Sequence, residues 1–113
     1  ATFAVDGNLT LYDNGNTRVA ADGGNSRGQE WRLDEKNLIA TPVLNLDLGV
    51  YSFATGSSER LSNGNYVFYD GVIVGSHSKA VEYTPSGALQ FEEDIPANIG
   101  YRSFRMRSLY SEY

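Results

Sequence analysis

A short phrase occurs twice in this chain. Asp6-Gly7-Asn8-Leu9-Thr10-Leu11-Tyr12-Asp13 is answered by Asn63-Gly64-Asn65-Tyr66-Val67-Phe68-Tyr69-Asp70. Each copy is a turn dipeptide with an Asn behind it, a run of β-forming residues, and a terminating Asp. Each is followed, after a Gly/Ser-rich stretch, by Glu and an aromatic: Glu30-Trp31 and Glu82-Tyr83. A repeat of roughly 50 residues built from short strands is the mark of propeller blades or similar arrays. The repeat accounts for about two units, whereas a propeller takes about 4–8. The expectation is therefore all-β: antiparallel four-stranded blade-like repeats, about two blades plus a closing strand.

At 113 residues the chain suits one domain with a modest core. Its net charge of −5, with Arg102, Arg105 and Arg107 as the one basic cluster, argues against sequence-independent nucleic-acid binding. Apolar runs are far shorter than a membrane span requires. Without cysteine, disulfides and thiolate metal sites are excluded. Eight tyrosines with Gly, Asn and Ser in the turns fit strands, and helical periodicity is weak throughout.

Along the chain, Leu9–Tyr12 reads as a strand, Val19–Arg27 as a loop, and Gln29–Leu33 as a strand with Trp31 and Leu33 on one face. Leu38–Leu46 is its hairpin partner across the Asp34–Asn37 turn, with Pro42 pointing to an edge or a bulge. Ser57–Leu61, Tyr66–Tyr69, Lys79–Tyr83 and Ala88–Phe91 supply the second set of strands. Arg102–Tyr110 alternates, with Phe104, Met106 and Ser108 on one side. The organisation is one all-β segment over 1–113, with repeats at about 6–48 and 57–93 and a final strand at about 101–110.

Three segments carry a family resemblance. Asp13-Asn14-Gly15-Asn16-Thr17-Arg18, then Ser26-Arg27-Gly28-Gln29-Glu30-Trp31-Arg32-Leu33-Asp34-Glu35-Lys36-Asn37, then Gly56-Ser57-Ser58-Glu59-Arg60-Leu61-Ser62-Asn63-Gly64-Asn65 resemble, in order, motifs of the arylsulfotransferases that use donor esters rather than a nucleotide sulfate. Tyr101–Arg105 fits that family's C-terminal strand. The resemblance implies a periplasmic or secreted β-propeller enzyme, without cofactor, that moves a sulfuryl group from an aryl sulfate to a phenol. A histidine attacks sulfur there, while Arg, His and Asn balance charge on the sulfate oxygens. The family's nucleophilic histidine precedes the strand leading into Asp-Asn-Gly-Asn, and Ala1–Gly7 contains none. The nucleophile is thus expected upstream of Ala1. The chain is read as a C-terminal portion, inactive alone, whose partners are the remaining blades, from the same or a separate chain. The alternative is a non-catalytic all-β binding or structural module.

Substrate-binding candidates are Arg18, Asn16, Arg27 and His77, each with a plainer alternative. Arg18 is suited to forked recognition of an oxyanion, or it packs against a neighbouring blade. Asp13 and Asn14 read first as turn caps. Arg27 and Arg60 contact sulfate or form inter-blade bridges to Glu30 or Glu59. His77, the single histidine, fits an exposed loop as readily as a site and does not align with the family's nucleophile. Glu92-Glu93-Asp94 reads as a solvated turn rather than a cation site, and no metal is expected. Tyr51, Phe53 and Tyr69 read as packing residues, with phenol stacking as the minority option.

Overall fold

The computed structural model describes residues 1–106. The chain builds two four-stranded antiparallel sheets in succession. The first runs β1 (Thr2–Phe3), β2 (Leu9–Asp13), β3 (Arg27–Asp34) and β4 (Ile39–Asp47) in sequential order; the second runs β5 (Ser52–Arg60), β6 (Tyr66–Ile73), β7 (His77–Tyr83) and β8 (Leu89–Ile95) likewise. β2 and β6 are each second in their sheet, so the two copies of the repeated phrase occupy equivalent positions, as expected.

The turns that open the two copies are closed identically. Gly7 N–H donates to Ala4 O and Gly64 N–H to Leu61 O, both at 2.9 Å. The side chains of Asp6 and Asn63 accept from the backbone N–H groups of Asn8 and Asn65. Both glycines sit at positive φ, 84° and 91°, where a side chain is strained. The Pro42 reading holds on both counts: β4 is an edge strand, and the β3–β4 register shifts beside Trp31, which pairs with Pro42.

The sheets pack face to face. Alternation along β2 turns Thr10 and Tyr12 toward the second sheet, where Thr10 Oγ1 meets Ser58 Oγ at 3.1 Å and Tyr12 O–H donates to Asp70 Oδ1 at 2.5 Å. From the other side come Tyr66, Phe68 and Asp70. Phe68 is fully buried and joins Leu48, Tyr66 and Val81 in a core flanked by Tyr12, Leu44, Leu46 and Tyr83. Its ring lies directly on Gly28, where a Cβ would fall 2.3 Å from Cζ. Glycine is needed there for close approach.

Three readings of the sequence are corrected. The expected loop at Val19–Arg27 begins within a helix, α1 (Asn16–Asp22). It buries no residue, which is why no apolar period announced it. Ala20 and Ala21 favour it by propensity, and Asn16 and Arg18 anchor it through side-chain bonds. Glu92, Glu93 and Asp94 lie not in a turn but on β8, exposed, with Lys79 bridging Glu92 at 3.4 Å. In the described part of the expected closing strand, residues 101–106 carry no strand assignment. They form a strap held to the second sheet; residues 107–110 lie outside the described residues. No helix among the described residues is long and apolar enough to cross a membrane.

Candidate functional site

The Asp-Asn-Gly-Asn-Thr-Arg motif forms one continuous hollow. The end of β2, the Gly15 turn and the first turn of α1 enclose about 450 Å³, open to solvent and lined by residues 12–18. Arg18 leans back across this turn. Its Nη2 donates to Asn25 O at 2.9 Å and approaches Asp13 Oδ2 at 3.4 Å, leaving the side chain about a quarter exposed. Gly15 makes the posture possible, since a Cβ there would lie 2.2 Å from Nη2. Arg18 thus combines two tethers with a guanidinium still partly open to water, beside a polar cavity.

The asparagines of the motif hydrogen-bond to the second sheet. Asn14 Nδ2 donates to Ser52 O at 2.7 Å and Thr55 O at 3.0 Å, clamping the first sheet to β5. That is a sheet-to-sheet tie rather than a cap of its own turn. Asn16 Nδ2 donates to Phe53 O, and its Oδ1 accepts from Tyr51 O–H at 2.8 Å. Two of the aromatic candidates therefore stand next to the motif. Tyr69 does not: it is buried at 4% exposure beneath Gly100.

Arg27 sits in cross-strand register between Asp13 and Asp47, on the strand adjoining Arg18. Arg60 is committed elsewhere, with Nη1 donating to Asp6 at 2.6 Å and to Glu30 at 3.1 Å. It forms the inter-blade bridge that was the alternative to sulfate binding. His77 opens β7 in the second sheet, its Nε2 3.6 Å from Asp94 on β8, and is not among the residues lining the Arg18 hollow. Arg18, Asn16 and Arg27 are gathered at one end of the first sheet; His77 stands apart.

Sequence reasoning missed the buried polar seam between the sheets. Glu30 is completely buried, its Oε1 accepting from Asn8 and Arg60 and its Oε2 from Tyr66 O–H. Burial, then the carboxylate partner, pushes the Tyr66 phenol up to about 12. Asp70 is also fully buried, and its Oδ2 has no partner among the described residues. Burial raises its carboxyl to about 6 against the opposing effects of the Tyr12 hydrogen bond and Lys79; Tyr12 is raised in turn. Ser26 Oγ, at the other end, donates toward Asn14 O and Ser52 O and accepts from Ser52 N–H. The signal available in sequence was the repeated Glu before an aromatic, at Glu30 and Glu82.

The described residues contain no cluster of three His, Asp or Glu placed to hold a metal ion. What the arrangement offers chemically is a tethered, partly exposed guanidinium beside a polar hollow. Compared with known proteins, residues 1–102 match the family model described as arylsulfotransferase (ASST). No curated protein and no solved structure matches.

Proposed function

The chain belongs to the arylsulfotransferase family, and we propose that it is a C-terminal portion of a secreted or periplasmic propeller enzyme that transfers a sulfuryl group from an aryl sulfate ester to a phenol. In this reading the nucleophilic histidine comes from residues outside this sequence, and the chain alone does not turn over. The observation that carries the proposal is the posture of Arg18. Its guanidinium is folded over Gly15, tied to Asn25 O, and left facing the hollow of the family motif. A planar cation pre-positioned in this way suits the oxygens of a sulfate ester and costs little reorganisation as charge develops. Arg27, one strand away, adds positive potential, and Tyr51 and Phe53 offer aromatic surface for the ring of donor or acceptor.

The test is release of a chromogenic phenol from its sulfate ester with a phenolic acceptor present. The isolated chain should be inactive, and activity should appear when the segment upstream of Ala1 is supplied. Arg18→Ala should then lower turnover about 10–100-fold, the range for losing a charge-assisted contact, and more than Arg60→Ala. Activity of the isolated chain that His77→Ala abolishes would make His77 the nucleophile and overturn the proposal.

A further inference from the structure

The carbonyl that holds Arg18 follows a loop with little rigidity of its own. α1 ends at Asp22, and Gly23 and Gly24 come next at φ 75° and 98°. Both are exposed, and consecutive glycines give a chain its widest choice of conformations. Gly23 N–H closes the helix by donating to Val19 O at 2.9 Å. Yet Asn25, immediately after this loop, keeps its carbonyl oxygen 2.9 Å from Arg18 Nη2. What aims that carbonyl lies on the other side of Asn25.

The C=O of Asn25 and the N–H of Ser26 belong to one planar trans peptide, so they point in opposite directions. Ser26 N–H donates to Val50 O at 2.8 Å, and Ser26 O accepts from Leu48 N–H at 3.1 Å. Ser26 is thereby paired with the short turn that follows β4, and the Asn25 carbonyl is turned the other way, to Arg18. Asp47 shapes that turn. Its Oδ1 accepts from Gly49 N–H at 2.7 Å, with Gly49 at φ 76°. The same oxygen accepts from Asn25 Nδ2 at 2.8 Å. One carboxylate oxygen thus grips the side chain of Asn25 and the turn that binds Ser26. The Gly49 bond first, then the Asn25 bond, hold the Asp47 carboxyl below its usual range, with Arg27 and Arg18 adding to the effect. The carboxylate is therefore ionised at neutral pH, and an ionised acceptor makes the stronger hydrogen bonds.

We infer that Asp47 is a positioning residue for Arg18, acting through Asn25. It stands outside residues 12–18, which line the hollow. Its part is to keep the Asn25 carbonyl aimed, so that the guanidinium stays folded over Gly15 and does not swing out on its long side chain. The consequence for catalysis rests on the sulfuryl-transfer reading above. A cation already in place when charge develops on the sulfate oxygens stabilises the transition state more than one that must first be ordered.

The test follows Arg18 directly, by phenylglyoxal labelling resolved by peptide mass spectrometry, on the protein together with the segment upstream of Ala1. Asp47→Ala should speed labelling of Arg18 about fivefold, the size expected for losing one hydrogen bond, with labelling of Arg60 unchanged. Asn25→Ala leaves the Asp47–Gly49 turn intact and should act in the same direction to a smaller degree. Asp47→Asn keeps an acceptor oxygen for both donors and should label like wild type, which separates geometry from loss of charge. Asp34→Ala removes a carboxylate bonded to Asn37 in a comparable turn and should leave Arg18 labelling alone. Turnover of the chromogenic sulfate ester gives the second reading. Asp47→Ala should lower kcat in the wild-type background and lower it no further in Arg18→Ala. Unchanged Arg18 labelling in folded Asp47→Ala or Asn25→Ala overturns the inference. So does Asp47→Asn that labels as fast as Asp47→Ala, or a loss of kcat that multiplies with that of Arg18→Ala. If labelling responds as expected while Arg18→Ala leaves turnover untouched, the positioning stands and the sulfuryl-transfer role of Arg18 falls.

Discussion

Replacing Asp70 with Asn should stabilise the protein at neutral pH and change the shape of its pH profile. Asp70 is completely buried between the sheets, with one oxygen bonded by Tyr12 and the other without a partner among the described residues. The groups that act on it are Tyr12 from β2, which accounts for the hydrogen bond, Lys79 from β7, and Glu92 from β8, whose charge adds to the upward shift. Burial dominates and lifts the carboxyl from 3.8 to about 6. The folded state therefore holds its proton more tightly than the unfolded chain does. Between about pH 4 and 6 the native protein binds more protons, so this group's contribution falls as pH rises and is lost above about 6. A shift of about two pH units at 1.36 kcal/mol each is on the order of 3 kcal/mol. Asn is neutral at every pH and can still accept from Tyr12 through its amide oxygen. Asp70→Asn should thus gain about 2–3 kcal/mol at pH 7.5 and nearly nothing at pH 4, measured by urea unfolding at each pH. The carboxylates held low by backbone and amide donors, such as Asp47, work in the opposite sense and lose stabilisation as pH falls. They are common to both proteins and cancel in the difference. A variant that is equally or less stable at pH 7.5, or whose difference from wild type does not vary between pH 4 and 7, would refute the reasoning.

Arg60→Ala strands the buried Glu30 carboxylate with only Asn8 and Tyr66 as donors among the described residues, and should cost about 3 kcal/mol at pH 7; chemical denaturation checks it. Gly28→Ala places a Cβ against the Phe68 ring and should cost about 1–3 kcal/mol by overpacking, with Phe68→Leu recovering part of the loss in a double-mutant cycle of unfolding free energies. Gly15→Ala should act as a second route to the Arg18 phenotype. It pushes the guanidinium off its perch, so in sulfuryl-transfer assays with the upstream segment present its loss should approach that of Arg18→Ala.

The repeat made the two sheets legible because it encodes local chemistry. An Asx-Gly-Asn turn at positive φ, then a β-run, recurs wherever the chain must reverse and enter the second strand of a sheet. Pro42 announced both its edge strand and its bulge for an equally local reason. The polar seam was not legible, because Glu30 and Asp70 look like any strand carboxylates until the second sheet closes over them. Nothing in one strand's alternation says that its polar side faces inward; a stacked sheet buries both of its faces, so inside and outside cannot be told apart by period two. The helix at Asn16–Asp22 escaped notice because it answers to no core. It rests on the side-chain bonds of Asn16, which reaches Phe53 far along the chain, and of Arg18, which ties back the segment just after the helix at Asn25.

The same geometry divides the family motif into two jobs. Asn14 and Asn16 spend their amides on carbonyls of the second sheet's inner strand, and Asp13 on Arg18. Their polarity, which from sequence resembles a binding constellation, is consumed in fixing where the turn sits relative to β5. Gly15 then has to be glycine because Arg18 crosses it. Each of these residues constrains the next, and the constraint ends at a guanidinium that is tethered but partly open to the hollow. Both Arg18 and Arg60 are partly exposed, and what distinguishes them is their partners: Arg60, an arginine of the same sheet pair, has two carboxylate partners that leave it little to offer an incoming anion. A sulfate oxygen approaching Arg18 meets a guanidinium held by the neutral Asn25 O at 2.9 Å and by one carboxylate contact of 3.4 Å to Asp13, whereas one approaching Arg60 must displace carboxylate contacts of 2.6 and 3.1 Å, the second to a fully buried carboxylate. Substitution of Asp13 by Asn should therefore raise affinity for an aryl sulfate in the active assembly by loosening the weaker tether, while Asp6→Asn should leave it unchanged. Equal responses to the two substitutions in a binding titration would place the anion somewhere other than Arg18.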